Sequence, residues 1–176
     1  MAGLPGAGKS TLSRALAERG GGIVLDKDLI RAALFPPALI EYSQEQDDFC
    51  LEVMLRTAEY LLSRNPDLRV FLDGRPFSRR YQREQVEAAA AHLRTPLAII
   101  ECICSDATAL VRLQRDDATG AHPASNRGSA LYEQVKAGFE TLAEPRLTLD
   151  TEQSLAECVR QAEAYLKITS RPSRRK

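Results

Sequence analysis

Hydrophobic positions along the chain form two patterns, short continuous apolar runs and longer stripes with helical spacing. The apolar runs predict buried strands at residues 22–26, 68–74, 96–104 and 146–150. The stripes predict helices at about residues 11–19, 44–64, 78–92, 106–117, 129–142 and 151–167. Because strands alternate with helices, the pattern predicts a parallel sheet covered on both faces, which is a three-layer α/β/α fold.

A glycine-rich segment precedes the first predicted helix. The chain opens MAGLPGAGKST, which contains the pattern GxxxxGK[ST]. Glycines let a backbone turn its N–H groups toward a phosphate, and a lysine adds positive charge at the β- and γ-phosphates. The hydroxyl that follows the lysine can hold Mg²⁺, which makes Ser10 a predicted metal ligand. The predicted ATP-binding residues of this loop are Gly6, Ala7, Gly8, Lys9, Ser10 and Thr11.

Length and charge restrict the organisation of the chain. Its 176 residues fit one domain, predicted over residues 1–168, followed by a basic and disordered tail at 169–176. The formal net charge is zero, but four positive charges lie in that tail, so the domain itself carries −4. A mildly acidic body favours a small substrate over a nucleic acid.

Other compositional signals are mostly negative. No run of 18 apolar residues and no signal-peptide pattern is present, so no membrane association and a cytoplasmic location are predicted. The four cysteines have no metal-ligand spacing and are predicted to be buried, reduced thiols. His92 and His122 have no companions at ligand or triad spacing and are interpreted as structural or surface residues.

Acidic residues follow the first two predicted strands. In VLDKDLIR, Asp28 and Arg31 are three residues apart and share a face if a helix begins there. A carboxylate beside an arginine suits a base that orients or deprotonates a hydroxyl near a γ-phosphate. Asp26 remains an alternative base, a helix N-cap or a metal contact. Asp73 is either a Mg²⁺ contact through water or a turn residue before Gly74.

Three arginines bracket the Gly/Pro-rich segment TGAHPASNRGS. Arg112 and Arg115 have helical spacing, and Arg127 lies at the far end of the segment. We predict a lid at about residues 112–128 whose closure brings positive charge onto the transferred phosphoryl group. The alternative is a solvated helix face paired with neighbouring aspartates.

The motifs together resemble those of the P-loop kinases related to polynucleotide kinase, zeta toxin, gluconate kinase and chloramphenicol phosphotransferase, and of bacterial proteins described as AAA-family ATP-binding proteins. The segments that carry the resemblance are GLPGAGKST, LDKDLIR, FLDGRPFSRR, RLQRDDATGAHPASNR and LTLDT.

The resemblance implies a fold, cofactors and residue roles. It implies transfer of a phosphoryl group from ATP to a hydroxyl with Mg²⁺, on a five-stranded parallel sheet of order 2-3-1-4-5. By motif position, Asp28 would be the base and Arg31 a substrate-side arginine. Arg112 and Arg115 would be lid arginines, and Thr151 would lie where the last strand's loop passes the adenine.

The chain departs from this family at its first strand, because only Met1 and Ala2 precede the glycine loop. The interpretations left open are a start assigned too late, a naturally trimmed kinase, and replacement by another segment. A strand missing from mid-sheet would leave buried N–H and C=O groups unpaired, at about 1–3 kcal/mol each.

The predicted function is a Mg²⁺- and ATP-dependent kinase for a small hydroxyl compound, such as a sugar, a nucleoside or an antibiotic-like molecule. Arg31 and Arg75 are predicted to bind the acceptor, and residues 32–67 to determine specificity. Two alternatives remain open: a nucleic-acid 5′-hydroxyl kinase, and a regulatory module that binds ATP without turnover. The sequence leaves the oligomeric state open.

Overall fold

The structure is a computed structural model that describes residues 1–119 and 128–169, with backbone alone for residues 117–119. Its strands are β1 (Ile23–Asp26), β2 (Val70–Asp73), β3 (Ile100–Ile103) and β4 (Leu147–Asp150). Its helices are α1 (Lys9–Gly20), α2 (Lys27–Leu34), α3 (Gln44–Arg64), α4 (Arg80–His92), α5 (Asp106–Thr119), α6 (Ser129–Ala137) and α7 (Leu155–Thr169). The predicted tail from residue 170 onward and residues 120–127 of the predicted lid lie outside the described residues.

The strands form two parallel pairs. β1 pairs with β2 in the register Ile23 to Val70 through Asp26 to Asp73. β3 pairs with β4, from Ile100 opposite Leu147 to Ile103 opposite Asp150. Because parallel strands point the same way, the carboxyl ends of β1 and β2 lie side by side at one edge of the sheet.

The first two residues of the chain lie between the two strand pairs. The Ala2 amide donates to the Ile100 carbonyl at 2.8 Å, and the Cys102 amide donates to the Ala2 carbonyl at 2.9 Å. On the other side, the Met1 amino group donates to the Leu72 carbonyl at 3.1 Å. When this short segment is counted as strand 1 and β1 to β4 are counted as strands 2 to 5, the sheet has the predicted order 2-3-1-4-5, with a truncated first strand.

Helices cover both faces of the sheet. On one face α1 and α7 pack against Phe71, Ile100, Cys102 and Leu149. On the other face Leu51 and Met54 of α3, with Phe77 and Leu142, pack near Leu72 and Leu25. Since neighbouring strand residues such as Phe71 and Leu72 face opposite ways, the two clusters are separate cores. This arrangement confirms the three-layer α/β/α prediction.

Several elements are shorter than predicted, β3 and α6 by the most. β3 begins at Ile100 rather than at residue 96, because its partner β4 begins only after Pro145, which has no N–H to donate to a longer ladder. α6 ends at Ala137 because Gly138 follows, and the Glu140 amide then donates to the Ser78 carbonyl at 2.9 Å.

The described ranges contain no helix that is both long enough and apolar enough to cross a membrane. All four cysteines are free, and Cys50, Cys102 and Cys158 are buried. Burial raises the pKa of the Cys102 thiol to about 11, which keeps it protonated and unreactive at neutral pH.

Candidate active site

The glycine loop leads directly into the N-terminus of α1. Its N-cap residue is Gly8, with a φ of 79° and no side chain to occupy the helix end. Gly6 has a φ of 76°, and a Cβ atom there would lie 2.5 Å from the carbonyl oxygen of Ala109. Both positions therefore require glycine. The first amides of α1 have no partner within the helix, so this end suits an anion.

Lys9 is the first residue of α1, and its side chain lies back across the loop. Its Nζ donates to the Gly3 carbonyl at 2.9 Å and to the Leu4 carbonyl at 2.8 Å. The residue is only 6% exposed. An ammonium group is thus buried beside the helix N-terminus, and both features favour the binding of a phosphate.

Arg112 of α5 connects the glycine loop to the loop after β4. Its guanidinium donates to the Gly6 carbonyl at 3.3 Å, and to the hydroxyl and carbonyl oxygens of Thr151 at 2.9 and 2.8 Å. The Thr151 hydroxyl in turn lies 3.1 Å from the Ala7 carbonyl. We call these residues, Arg112, Thr151, Gly6 and Ala7, the loop clamp.

Asp73 ends β2 beside the glycine loop and has no solvent exposure. Its Oδ2 accepts a hydrogen bond of 3.2 Å from Ser13 of α1. Within residues 1–119 and 128–169, its Oδ1 has no hydrogen-bond partner. A buried carboxylate oxygen without a partner fits a hard cation or its bound water. Ser10 lies on the first turn of α1, so the two predicted metal contacts come from adjacent elements.

Asp26 caps α2 through its Oδ1, while its Oδ2 lies 3.5 Å from Arg14 Nη2 and has no hydrogen-bond partner among the described residues. Its Oδ1 accepts from the amides of Asp28 at 2.9 Å and Leu29 at 3.4 Å. This geometry is that of a helix N-cap, one of the alternatives that the sequence left open. The cap holds the first turn of α2 at the carboxyl end of β1.

Asp28 and Arg31 meet on the buried face of α2, as their spacing predicts. Arg31 Nη1 donates to Asp28 Oδ1 at 2.6 Å, and Arg31 Nη2 donates to Asp47 of α3. Arg31 is 1% exposed and Asp28 is 8% exposed. The cation contacts to Asp28 from Arg31 and from Lys27 are both made to its Oδ1.

Lys27 joins the same group of charges. Its Nζ donates to Asp47 Oδ1 at 2.7 Å and lies 3.5 Å from Asp28 Oδ1. Burial lowers the pKa of Lys27 from 10.5 to about 8, while the charge of Asp28 opposes this shift. The lysine is therefore mainly a cation at neutral pH, at a considerable cost in desolvation.

Arg75 occupies the loop between β2 and α4 and is 1% exposed. Its guanidinium donates to the Asp47 carbonyl at 3.1 Å, to the Tyr81 hydroxyl at 3.3 Å and to the carboxylate of Asp48. We call the whole set the charge cluster; it contains Lys27, Asp28, Arg31, Asp47, Asp48, Arg75 and Tyr81.

The structure brings together most of the predicted site residues, in two groups. The glycine-loop residues, Arg112 and Thr151 lie in one group, and Asp28, Arg31 and Arg75 lie in the other. Arg115 lies near the end of α5 and is exposed, while Arg127 lies outside the described residues. Sequence reasoning missed Lys27, Asp47, Asp48 and Tyr81. The acidic pair in QEQDDFC, within the segment predicted to determine specificity, was the available signal for two of them.

A family model described as an AAA domain matches residues 1–142, so the chain belongs to that family. A search of curated proteins finds no match. The predicted resemblance to the P-loop kinase group is confirmed at the level of family and fold.

Solved structures of P-loop proteins share this fold. A gluconokinase from Sinorhizobium meliloti is 22% identical with a TM-score of 0.68, over 96% of this chain and 90% of that chain. The APS kinase CysC of Mycobacterium tuberculosis, solved with AMPPNP and APS, is 17% identical with a TM-score of 0.66, over 94% of each chain. Kti12 from Chaetomium thermophilum, solved with ADP-AlF3, is 15% identical with a TM-score of 0.70, over 97% of each chain.

Proposed function

We propose that the protein is a Mg²⁺- and ATP-dependent kinase that transfers the γ-phosphoryl group of ATP to a hydroxyl of a small molecule. The observation that carries this proposal is the buried carboxylate of Asp28, held by Arg31 at 2.6 Å. It lies at the carboxyl end of β1, at the sheet edge where β2 also ends and where ligands bind in folds of this type.

The ATP side of the proposed site is built on α1 and the loop clamp. Backbone amides of Gly6 to Thr11 and the ammonium of Lys9 would bind the phosphates. Arg112 and Thr151 hold the loop against the segment after β4, where the resemblance puts the adenine. Arg115 and Arg127 remain candidates for neutralising the transferred group.

The metal side of the site fits Mg²⁺. The hydroxyl of Ser10 and Asp73 Oδ1, which has no hydrogen-bond partner in the part of the chain that the structure describes, would be hard oxygen ligands. No cluster of three or more His, Cys, Asp or Glu side chains occurs in the described part of the chain, which suits an ion that takes few protein ligands and several from phosphate and water. When bound, Mg²⁺ supplies positive charge to the phosphate oxygens.

The acceptor side is the charge cluster. Arg31 and Lys27 fix the orientation of Asp28 through its Oδ1, and its Oδ2 would accept the hydrogen bond of the acceptor hydroxyl. Asp28 would then take the proton as the acceptor oxygen bonds to the γ-phosphorus and the bond from that phosphorus to the β–γ bridging oxygen breaks, which releases ADP.

A transfer assay tests the proposal. γ-Labelled ATP and Mg²⁺ are incubated with the protein and separate pools of sugars and polyols, nucleosides, aminoglycosides and 5′-hydroxyl oligonucleotides. Label on a small-molecule pool supports the proposal. Label on the oligonucleotides alone would instead indicate a nucleic-acid kinase. Binding of ATP without transfer to any pool would indicate the regulatory module.

A further inference from the structure

The charge cluster contains equal numbers of opposite charges. Its cations are Lys27, Arg31 and Arg75, and its carboxylates are Asp28, Asp47 and Asp48. Arg31 is paired with two carboxylates and Arg75 with one, all from α2 and α3. The formal charge of the cluster is therefore zero. An anion that entered it would have to displace an existing carboxylate to gain a full ion pair.

The cations and Asp28, which is 8% exposed, are buried, whereas the other two carboxylates are more accessible. Lys27 is 6% exposed, and Arg31 and Arg75 are each 1% exposed. The carboxylates of Asp47 and Asp48 are considerably more accessible, with side chains 25% and 30% exposed. A molecule that approaches from solvent therefore meets these two carboxylates first and the guanidinium groups only behind them.

Aromatic rings border the same region. The Tyr42 ring lies 5.1 Å from the guanidinium carbon of Arg31. The Tyr81 hydroxyl lies 3.4 Å from the carboxylate oxygens of Asp48. Carboxylates that accept hydrogen bonds beside aromatic rings match the chemistry of a polyhydroxylated carbon skeleton, which offers several O–H donors and an apolar C–H surface.

We infer that the acceptor is an uncharged polyhydroxy compound and that Asp47 and Asp48 determine this specificity by repelling acceptors that carry a carboxylate or a phosphate. This inference rests on the proposed kinase function and names the acceptor class of that same site. An anionic acceptor would face the like charges of Asp47 and Asp48, while its uncharged counterpart would donate hydrogen bonds to them.

Matched acceptor pairs test the inference. Phosphoryl transfer from ATP is measured for glucose against gluconate and glucose 6-phosphate, for ribose against ribonate, and for glycerol against glycerate. We expect kcat/KM for the uncharged member of at least one pair to exceed that of its anionic counterparts by about tenfold or more. Glucosamine against glucose tests a cationic acceptor.

Two variants test the assigned residues. Asp48→Asn leaves Arg75 without its carboxylate, and Asp47→Asn removes one of the two carboxylates paired with Arg31 and with Lys27. Each is expected to reduce the preference for the uncharged acceptor by about tenfold, since one repelling charge is lost. Asp67→Asn, in the exposed turn after α3, is the matched control and should leave the preference unchanged. Thermal unfolding shows whether each variant is folded.

The outcomes separate the two proposals. Transfer that favours an anionic or an aminated acceptor would overturn the inference and leave the kinase function standing. An unchanged preference in folded Asp48→Asn would also overturn it, whatever the behaviour of Asp47→Asn. Absence of transfer to every acceptor would overturn the kinase function and this inference with it.

Discussion

Single residues determine the geometry of the phosphate loop, and Gly6 shows this most directly. Gly6 and Gly21 have similar positive φ angles of 76° and 69°, but a Cβ would collide with the Ala109 carbonyl only at Gly6. At Gly21 nothing lies within 4 Å of such an atom. An alanine at either position would have to adopt an unfavourable positive φ, but only at Gly6 would its Cβ also collide with a neighbouring atom.

Gly6→Ala should therefore weaken nucleotide binding, whereas Gly21→Ala should only destabilise the fold. We expect the shared backbone penalty to lower the free energy of unfolding by about 1 kcal/mol, which urea unfolding can measure. We expect Gly6→Ala to lower ATP affinity at least tenfold by calorimetry, because the loop must shift to relieve the collision. Equal ATP affinities in the two variants would contradict this account of the loop.

The lowered pKa of Lys27 makes the free energy of unfolding depend on pH. The lysine faces Asp28 and Arg31 of its own helix, Asp47 of α3 and Arg75 of the loop after β2. The folded chain releases this proton at about pH 8, and the unfolded chain at about pH 10.5. Between these two pH values the chain takes up a proton when it unfolds, so the free energy of unfolding increases as the pH rises.

Comparison with Lys27→Met removes the contributions of other titrating groups. The free energy of unfolding of the wild type, relative to that of Lys27→Met, should rise by about 2 kcal/mol between pH 7.5 and pH 10. Urea unfolding at both pH values measures the difference. Lys167→Met, at an exposed position of α7, is the control and should show no such change relative to the wild type. If the difference between the wild type and Lys27→Met is the same at both pH values, the pKa of Lys27 is not lowered in the folded chain.

At the scale of elements, the loop clamp joins α5, the glycine loop and the loop after β4. Arg112→Ala and Thr151→Val should each weaken ATP binding, because Gly6 and Ala7 lose the groups that hold them. The two effects should not add, and a double-mutant cycle should give a coupling of about 1 kcal/mol. Arg160→Ala, on the exposed face of α7, should leave affinity unchanged. Additive effects would indicate that the two residues act independently.

Helices, strands and local contacts could be predicted from the sequence where they depend on residues that are close together along the chain. Asp28 and Arg31 are three residues apart, so a helical turn alone brings them together. The lower bound of β3 was wrong because an apolar run reports burial, whereas a strand also needs a paired neighbour. Asp47 and Asp48 were not predicted as site residues because only the packing of α3 on α2 brings them to the site.

At the scale of the whole molecule, one core joins the two strand pairs. Phe71 of β2 lies in the same cluster as Ile100 of β3 and Leu149 of β4, with α1 and α7 packed over all three. Among the described residues, main-chain hydrogen bonds from Met1 and Ala2 bridge the two pairs, and the Gly3 amide donates to the Pro76 carbonyl at 3.1 Å. The shared side-chain core adds to this short stretch of backbone pairing in connecting the two pairs.

We propose that the buried carboxylate of Asp28 activates an acceptor hydroxyl for attack on ATP. The most direct measurement compares single-turnover transfer of labelled γ-phosphate by the wild type and by Asp28→Asn, together with the ATP affinity of each. We expect transfer to an acceptor by the wild type, a rate at least about 100-fold lower for Asp28→Asn, and ATP affinities within about twofold. An undiminished rate in Asp28→Asn, or label that stays on ATP in the wild type, would contradict the claim.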